Sequence, residues 1–375
     1  MSENVLVTGG AGFIGSFLVD ALVDRGHHVR VYDSLVPQVH GPARSLPEYL
    51  HQDAEFINGD VRDRDALARA LQGIDVVYHL AAAVGVGQSM YQIQYYTEAN
   101  TLGGAVLLDL LANTNHFVRK IIVASSMSIY GEGKYECEAC GAVVPRLRSE
   151  AQLEDREWEV RCPQCQRPAR AVPTDEQKPL FPTSIYAITK RDHEEMFLST
   201  GRAYDIPAVA LRFFNVYGPR QALSNPYTGV MAIFSGRLLN QQPPVLYEDG
   251  QQTRDFVHIS DIVQGLLLAM ERSEADYEVV NLGTGVPTSI SRVAEMLCQR
   301  LAEGEIEPRI VNQYRSGDIR HCYADVTRAC SLLGFEPRVR LEDGLEDLLA
   351  WVKLQTAEDR FSQVQEELVA KALVG

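Results

Sequence analysis

The run VLVTGGAGFIG, residues 5–15, decides the fold of this chain. Its apolar first half is typical of a β-strand, and the apolar positions 17, 18, 21 and 22 that follow recur with helical spacing. Between the two lie Gly9, Gly12 and Gly15, whose missing side chains let the backbone approach a ligand closely. Strand, glycine turn and helix in this order are typical of the first unit of a nucleotide-binding α/β domain.

The alternation of strand and helix continues beyond this unit. Further strands are predicted over 29–32, near 56–57, over 76–79 and over 120–124, and helices over 66–71 and 96–112. Repeated units of this kind predict an α/β fold with a doubly wound parallel sheet. Asp33 ends the second strand, 18 residues after Gly15, where its carboxylate can accept from a ribose diol and repel a 2′-phosphate. The sequence therefore predicts NAD as cofactor rather than NADP.

Composition excludes several classes of function. The chain has 375 residues, 46% of them hydrophobic, and 35 Lys and Arg against 50 Asp and Glu give a formal net charge of −15. Its apolar runs are far shorter than the ~20 residues that span a bilayer, and we expect no secretory leader before the first strand. We therefore expect a cytoplasmic protein with neither a membrane nor a nucleic-acid partner, in which local cations hold any anionic ligand.

A second pattern indicates the chemistry. Tyr186 and Lys190 are spaced i and i+4, which places them on one face of a helix. A free phenol, with a pKa of about 10, is a poor base at neutral pH. A neighbouring ammonium and a nicotinamide cation would both favour the phenolate. Serines at 125, 126 and 128 follow a buried strand and would face the same crevice, so the pattern predicts a hydride-transfer centre.

Seven ordered motifs show what the chain resembles. They are TGGAGFIG (8–15), HLAA (79–82), SSMSIYG (125–131), YAITK (186–190), RFFNVYGPR (212–220), RDFVHISD (254–261) and RSGD (315–318). Together they are similar to the extended short-chain dehydrogenases/reductases of the nucleotide-sugar epimerase/dehydratase group. The resemblance covers residues 4–350 with one interruption, and it implies a Rossmann domain followed by a smaller α/β sugar-nucleotide-binding domain.

The resemblance also implies roles for individual residues. Tyr186 would be the base, Lys190 a ribose ligand that lowers the pKa of the phenol, and Ser126 the hydroxyl that shares the proton of the sugar O4. The cofactor-binding residues would be Gly9, Gly12, Phe13, Ile14, Gly15, Asp33, Asp60, Val61, Leu80, Ala81, Ala82, Asn100, Tyr186 and Lys190. The substrate-binding residues would be Ser89, Ser126, Asn215, Arg220, Arg254, Arg315 and Asp318, with Arg254 and Arg315 on the diphosphate.

Two positions separate the reactions of this group. Met127 and Ser128 stand where the resembling dehydratases carry Asp and Glu, and neither side chain can move protons at C5 or O6. Only oxidation and reduction at C4 remain, which predicts a 4-epimerase that keeps NAD tightly bound. Residues 34–41 and 84–91 and the insertion described next most resemble dTDP-L-rhamnose 4-epimerases. UDP-glucose and UDP-glucuronate 4-epimerases, an NAD(P)H-dependent 4-ketoreductase and a non-catalytic NAD-sensing scaffold are the alternatives.

The family pattern is interrupted by about 40 residues, 134–172. Cys137 and Cys140 form one CxxC pair, Cys162 and Cys165 another, and 21 residues separate the pairs. This spacing predicts one structural zinc held by four thiolates, with two disulfides or a redox pair less favoured in a reducing compartment. The insertion has equal numbers of cationic and anionic residues, so a lid or dimer contact is expected rather than nucleic-acid binding. Its expected small core is Val143, Val144, Leu147, Leu153 and Val160.

These observations divide the chain into four parts. Residues 1–133 and 173–218 would form the NAD-binding domain, to which later segments could return, and 134–172 a zinc ribbon. Residues 219–355 would form most of the sugar-nucleotide domain, and 356–375 a helical tail. The resemblance further implies a homodimer paired through the helix near 96–112 and the helix that carries Tyr186.

Overall fold

Strands and helices alternate as the sequence predicts in the computed structural model, which describes residues 2–227 and 229–374. The strands are β1 Asn4–Thr8, β2 His28–Asp33, β3 Glu55–Asn58, β4 Val76–His79, β5 Lys120–Ser126, β6 Lys134–Cys137, β7 Gly141–Val143, β8 Arg170–Val172, β9 Ala208–Phe213, β10 Asn215–Tyr217, β11 Val245–Leu246, β12 Thr253–His258, β13 Val279–Leu282, β14 Pro287–Ser289, β15 Arg309–Ile310 and β16 His321–Cys322. The α-helices are α1 Phe13–Asp24, α2 Pro37–His40, α3 Arg64–Ala70, α4 Val86–Ser89, α5 Ile93–Tyr96, α6 Gly103–Asn113, α7 Glu150–Glu154, α8 Ile185–Tyr204, α9 Val230–Leu239, α10 Ile259–Glu271, α11 Ile290–Leu301, α12 Thr327–Leu333, α13 Leu341–Val352 and α14 Phe361–Ala370.

The larger lobe is built on a parallel sheet. Among the described residues, seven strands pair in the order β13-β9-β5-β4-β1-β2-β3. Helices α1, α10 and α12 cover one face, and α3, α6 and α8 cover the other. The central strands are buried on both faces, which explains their continuous apolar runs. The predicted doubly wound sheet is confirmed.

The C-terminal part of the chain contributes to both lobes. Strand β13 joins the large sheet beside β9, and α10 packs against α1, so two elements beyond residue 218 return to the larger lobe. The smaller lobe has a short sheet in which β12 pairs with β10, β14 and β16. Helices α9, α11 and α13 form the core of this lobe. The β12 strand carries Arg254, which pairs in register with Cys322 of β16.

The insertion folds as a small separate sheet. Within residues 134–172, all of them described, β6 pairs antiparallel with β7 and β8. Val143, Leu153 and Val160 are buried, as expected. The expectation for Val144 and Leu147 was wrong, because they are 40% and 39% exposed. Val143 points inward at the end of β7, and successive side chains of an extended chain point to opposite sides, so Val144 faces outward.

The predicted helix over 96–112 is not a regular α-helix. Between α5 and α6 the chain takes a π-helical turn, Thr97–Leu102, and α6 then ends at Asn113. Close packing accompanies this turn, since a Cβ on Gly103 would lie 2.5 Å from Val61 and one on Gly104 would lie 3.2 Å from His193. π-helical turns are rare and occur frequently at functional sites.

The helices were also compared with the length and hydropathy of a membrane span, which the sequence analysis did not expect. None of the helices found in residues 2–227 and 229–374 has the length and apolar character needed to cross a membrane.

Candidate active site

The glycine turn lies against the end of β4. Gly9 has a φ of +71°, and a Cβ there would lie 2.8 Å from the Ala81 nitrogen. A Cβ on Gly15 would lie 2.3 Å from the Gly9 oxygen. Glycine is therefore required at both positions, and the turn exposes the N-terminus of α1, which begins at Phe13. Backbone amides and a helix dipole directed to one point are a suitable environment for a pyrophosphate.

The two carboxylates predicted to contact the cofactor have different surroundings. Asp33 ends β2, and its carboxylate accepts from the backbone nitrogens of Ala11 at 3.1 Å and Leu35 at 2.9 Å, which places it beside the glycine turn. Asp60 instead forms an ion pair of 2.6 Å with Arg62, and hydrogen bonds from Arg62 lower the pKa of Asp60. The sequence analysis did not identify Arg62 as the partner of this carboxylate.

Tyr186 is the second residue of α8, two positions after the cap Ser184. The Ser184 hydroxyl accepts from the Ala187 nitrogen at 3.1 Å, which starts the helix at Ile185. Burial raises the pKa of Tyr186 to about 12, and a hydrogen bond with Ser126 acts in the opposite direction. The structure therefore brings the predicted base and the predicted proton-sharing hydroxyl together.

Lys190 lies one helical turn further along α8. Its Nζ donates to the Ala124 oxygen at 3.0 Å, and burial lowers the pKa of Lys190 to about 7. In the protein alone, burial thus disfavours both the phenolate of Tyr186 and the ammonium of Lys190. A bound nicotinamide cation would favour the phenolate, so the site fits a cationic cofactor.

Ser126 is held from both sides. It ends β5, and its Oγ accepts from the Ser128 nitrogen at 3.2 Å and from the Ser128 hydroxyl at 3.0 Å. Beneath it, the Ser125 hydroxyl donates to Glu194 at 3.0 Å, and Glu194 forms a buried ion pair with Arg212. The sequence analysis missed this pair, which links β5, α8 and β9 under the site.

Two predicted ligands have other roles in the structure. The Ser89 hydroxyl is fully buried, donates to the Val86 oxygen at 2.7 Å and accepts from the Tyr186 nitrogen at 3.0 Å. The Asn100 side chain is also fully buried, on the π-helical turn, and bonds both backbone groups of Ala83 and the Thr189 hydroxyl. Both side chains thus support the backbone around Tyr186, and direct contact of Ser89 with the substrate and of Asn100 with NAD stay predictions.

Three predicted substrate ligands meet at one segment, residues 315–320. The Arg254 guanidinium donates to the Ile319 oxygen at 2.7 Å and to the Arg320 oxygen at 3.0 Å. Arg315 forms an ion pair of 2.8 Å with Asp318. We call residues 315–320 the arginine segment. Its Gly317 oxygen accepts from Thr183 at 3.1 Å, which brings it next to the start of α8.

Asn215 and Arg220 lie on the RFFNVYGPR motif. The Asn215 Oδ1 is buried and has no hydrogen-bond partner among the described residues, which marks a position where a ligand can donate. Arg220 pairs with Asp20 at 2.7 Å and lies over the Phe17 ring at 4.2 Å. Arg220 is therefore placed beside α1, at the edge of an open cleft of about 710 Å³ that Tyr49 also lines.

The C-terminal tail reaches the same region, which the sequence analysis did not anticipate. The Leu373 oxygen accepts from the Ser316 nitrogen at 2.9 Å. The Glu367 carboxylate accepts from the hydroxyls of Tyr91 and Tyr227, each at 3.0 Å. The residues after helix α14 thus contact the arginine segment.

The four CxxC cysteines form one cluster. The Sγ atoms of Cys137, Cys140, Cys162 and Cys165 all lie within 4.8 Å of one another, and those of Cys137 and Cys165 are 3.5 Å apart. Zn–S bonds of about 2.3 Å in a tetrahedron place sulfur atoms about 3.8 Å apart. The donor set and its spacing therefore fit a four-coordinate zinc ion.

Comparisons with known proteins agree with this geometry. The family model described as NAD dependent epimerase/dehydratase family matches residues 5–148, and the model described as GDP-mannose 4,6 dehydratase matches residues 168–348. The chain is 36% identical over 354 residues to the dTDP-L-rhamnose 4-epimerase of Burkholderia thailandensis, covering 93% of this chain and 95% of that protein. The chain belongs to the NAD-dependent epimerase/dehydratase family.

Solved structures of this epimerase/dehydratase family resemble the whole chain. A UDP-glucose 4-epimerase from Thermotoga maritima with UDP-glucose is 31% identical, with a TM-score of 0.74, covering 93% of this chain and 98% of that one. A UDP-glucuronic acid 4-epimerase from Bacillus cereus with UDP-glucuronic acid and NAD is 29% identical, with a TM-score of 0.75, covering 93% and 99%. The stretch between the two family-model matches, residues 149–167, lies inside the insertion.

The residues that distinguish reactions within the epimerase/dehydratase family are ordered in the structure. Met127 is buried in the turn after β5, and the Ser128 hydroxyl bonds Ser126. Neither position offers a carboxyl group near the predicted base.

Proposed function

We propose that this chain is an NAD-dependent nucleotide-sugar 4-epimerase. The observation that carries the proposal is the approach of the Ser126 hydroxyl to Tyr186, which opposes the rise that burial causes in the pKa of the phenol, with Met127 and Ser128 following Ser126 in place of carboxylic acids. A dehydratase needs an acid and a base for the protons at C5 and O6. This site has groups for proton transfer at O4, so interconversion at C4 is the reaction that its residues support.

The chain's own residues divide the work at O4. Bound NAD would accept the C4 hydride and return it. Tyr186, as phenolate, takes the O4 proton as the sugar is oxidised to the 4-ketone and gives it back on reduction. The Ser126 hydroxyl hydrogen-bonds the same oxygen, and Lys190 stabilises the phenolate through its charge. Inversion follows when the 4-keto sugar turns its other face before reduction, while its diphosphate stays bound by Arg254 and Arg315. Hydride and proton are both returned, so no net oxidant is consumed.

The finer proposal is the substrate, dTDP-L-rhamnose, with dTDP-6-deoxy-L-talose as the product. It is supported by the 36% identity to a dTDP-L-rhamnose 4-epimerase over nearly the full length of both chains. The relatives also include proteins named as UDP-glucose and UDP-glucuronate 4-epimerases, at 31% and 28% identity. These two sugar nucleotides are therefore the comparison substrates in the test below.

We further propose that the cysteine cluster holds one structural zinc. Four protein ligands leave no open coordination position, so the metal would not take part in the chemistry. Thiolate ligands require a reducing compartment, which agrees with a cytoplasmic location.

A homodimer is the oligomeric state that we propose. Leu102 is the last residue of the π-helical turn, and Ile188 lies in the first turn of α8. Their apolar side chains are 46% and 43% exposed to solvent. A second copy that covers both side chains would remove this apolar surface from water.

The test is an NMR assay of the purified protein with no added nicotinamide. The protein is incubated in turn with dTDP-L-rhamnose, UDP-glucose and UDP-glucuronate, and the 4-epimer of the first should form. Tyr186→Phe should lower turnover by at least ~10²-fold while the variant retains NAD. Tyr204→Phe, at the exposed end of the same helix, is the matched control and should be fully active. Turnover of UDP-glucose alone would contradict the finer proposal, and near-normal epimerisation by Tyr186→Phe would contradict the mechanism.

A further inference from the structure

A buried group of charges joins the insertion to the smaller lobe. Its members are Glu132, Arg148, Glu248 and Arg320, whose side chains are each 2% exposed or less. Arg148 belongs to the insertion, in the loop between the two CxxC pairs, and the other three residues lie outside it. We call this group the junction cluster.

Arg148 makes the contacts that cross the junction. Its guanidinium binds both carboxylate oxygens of Glu248, at 2.8 and 2.9 Å. It also donates to two backbone oxygens, that of Trp158 within the insertion at 2.9 Å and that of Asp318 in the arginine segment at 3.3 Å. One insertion side chain therefore contacts its own loop and the segment that carries Arg315, a predicted diphosphate ligand.

A second contact runs through Arg320, the last residue of the arginine segment. Its guanidinium pairs with Glu159 of the insertion at 2.6 Å and with Glu248 at 2.9 Å. Its backbone nitrogen donates to the Glu132 carboxylate at 2.8 Å. The main chain of the segment is thus fixed by the residue two positions before the insertion begins.

These contacts extend to the two predicted diphosphate ligands. Arg254 donates to the oxygens of Ile319 and Arg320, so its position depends on where that backbone lies. Arg315 pairs with the carboxylate of Asp318, and the backbone oxygen of Asp318 accepts from Arg148. A shift of the arginine segment would move both guanidinium groups at once.

The junction cluster needs a folded insertion. A charge that loses its partner inside a protein is strongly destabilising, so the network persists only while Arg148 stays in place. The insertion has a small apolar core of Tyr135, Val143, Val160 and Ala169 around two of the cysteines. A core of this size does not hold about 40 residues in one fold without a further cross-link, and metal binding at the cysteine cluster would supply one.

We propose that the insertion positions the diphosphate-binding arginines, with Arg148 as the positioning residue, so that zinc in the cysteine cluster controls affinity for the nucleoside diphosphate of the substrate. This rests on the proposed function. We expect NAD binding to be independent of the cluster, because the hydrogen bonds found for the glycine turn and Asp33 in the described residues join them to other parts of the larger lobe.

The test measures binding of dTDP, and in parallel UDP, to the NAD-loaded protein by calorimetry. Arg148→Met should lower the affinity for the preferred nucleotide by at least about tenfold, the equivalent of about 1.4 kcal/mol. Arg170→Met is the matched control. Arg170 also belongs to the insertion, and its side chain is 81% exposed in its ion pair, so this variant should bind the nucleotide normally. In steady-state assays Arg148→Met should raise KM more than it lowers kcat, and NAD content should be unchanged.

Two further measurements cover a failure of Arg148→Met to fold. Glu159→Gln removes one partner of Arg320 and leaves Glu248, so the variant should fold. Its affinity for dTDP should fall by a smaller factor than that of Arg148→Met. Removal of zinc from the wild-type protein with a chelator should weaken dTDP binding without loss of bound NAD.

The outcomes separate this inference from the proposed function. Unchanged affinity in Glu159→Gln and in the zinc-free protein would overturn the inference. Zinc-dependent dTDP binding without any epimerisation would support the inference while contradicting the proposed function. A protein that binds neither nucleotide would overturn both.

Discussion

Replacing Lys190 with Met should change the pH dependence of the stability of the NAD-free protein. Burial lowers the pKa of Lys190 to about 7, while the ordinary pKa that a lysine has in an unfolded chain is about 10.4. Because the folded pKa is the lower one, the unfolded state binds more protons between about pH 7 and pH 10. The free energy of unfolding of the wild type should therefore rise with pH through this window, and Lys190→Met should lack this contribution.

The magnitude follows from the two pKa values. One pKa unit corresponds to about 1.4 kcal/mol, so the fully shifted lysine costs about 4 kcal/mol near pH 7. About 2 kcal/mol of this cost should disappear between pH 7 and pH 9. Met has a similar length and no charge, so it removes the titration while it fills the same space.

Urea unfolding at about pH 7, 8 and 9 measures the difference. Titrations of the other groups are shared by both proteins and cancel when the two curves are subtracted. Lys353→Met, an exposed lysine at the end of α13, is the control and should give a curve parallel to the wild type. Parallel curves for Lys190→Met as well would refute the assignment of a charge-destabilised lysine to this site.

Three further changes test separate parts of the structure. Ser89→Ala removes the hydroxyl that accepts from the Tyr186 nitrogen, so urea unfolding should show a loss of about 1–2 kcal/mol. Calorimetry should then show unchanged dTDP affinity, and weaker dTDP binding at normal stability would support Ser89 as a direct ligand instead. Gly15→Ala places a Cβ 2.3 Å from the Gly9 oxygen, and chromatography of released cofactor should find it depleted of NAD; full NAD content would contradict the close packing of the turn. A stop codon after residue 360 removes the bond from Ser316 to Leu373, so KM for the sugar nucleotide should rise about fivefold, equivalent to one hydrogen bond of about 1 kcal/mol, and an unchanged KM would contradict contact between tail and substrate segment.

The parts of this protein that follow from sequence depend on short-range patterns. The strand over 4–8, the glycine turn and α1 are adjacent in the chain, and steric requirements at Gly9 and Gly15 explain why only glycine stands there. The spacing of Tyr186 and Lys190 depends on one turn of helix. The spacing within each CxxC pair is similarly local, although the two pairs had to be brought together by β6, β7 and β8.

Tertiary packing decides details of local structure that the sequence pattern does not contain. The chain is helical over 96–112 as expected, but this stretch includes the π-helical turn Thr97–Leu102. The turn directs Asn100 to Ala83 and Thr189, and the spacing of apolar residues along a helix contains no information about these partners. Ser89 was assigned from its motif to the substrate, and only the folded chain reveals that its hydroxyl also accepts from the Tyr186 nitrogen.

Neighbouring residues and residue types were enough to predict the fold class, the four thiolates and the candidate residues for hydride and proton transfer. The contacts of the insertion, in contrast, follow only from the tertiary structure. Arg148 and Glu248 are 100 residues apart, and Glu132 and Arg320 are 188 apart. Neither pair has a spacing or a composition that distinguishes it from the other charged residues of the chain. Their pairing follows from burial, because a charge in the interior is tolerated only beside the partner that the completed fold provides.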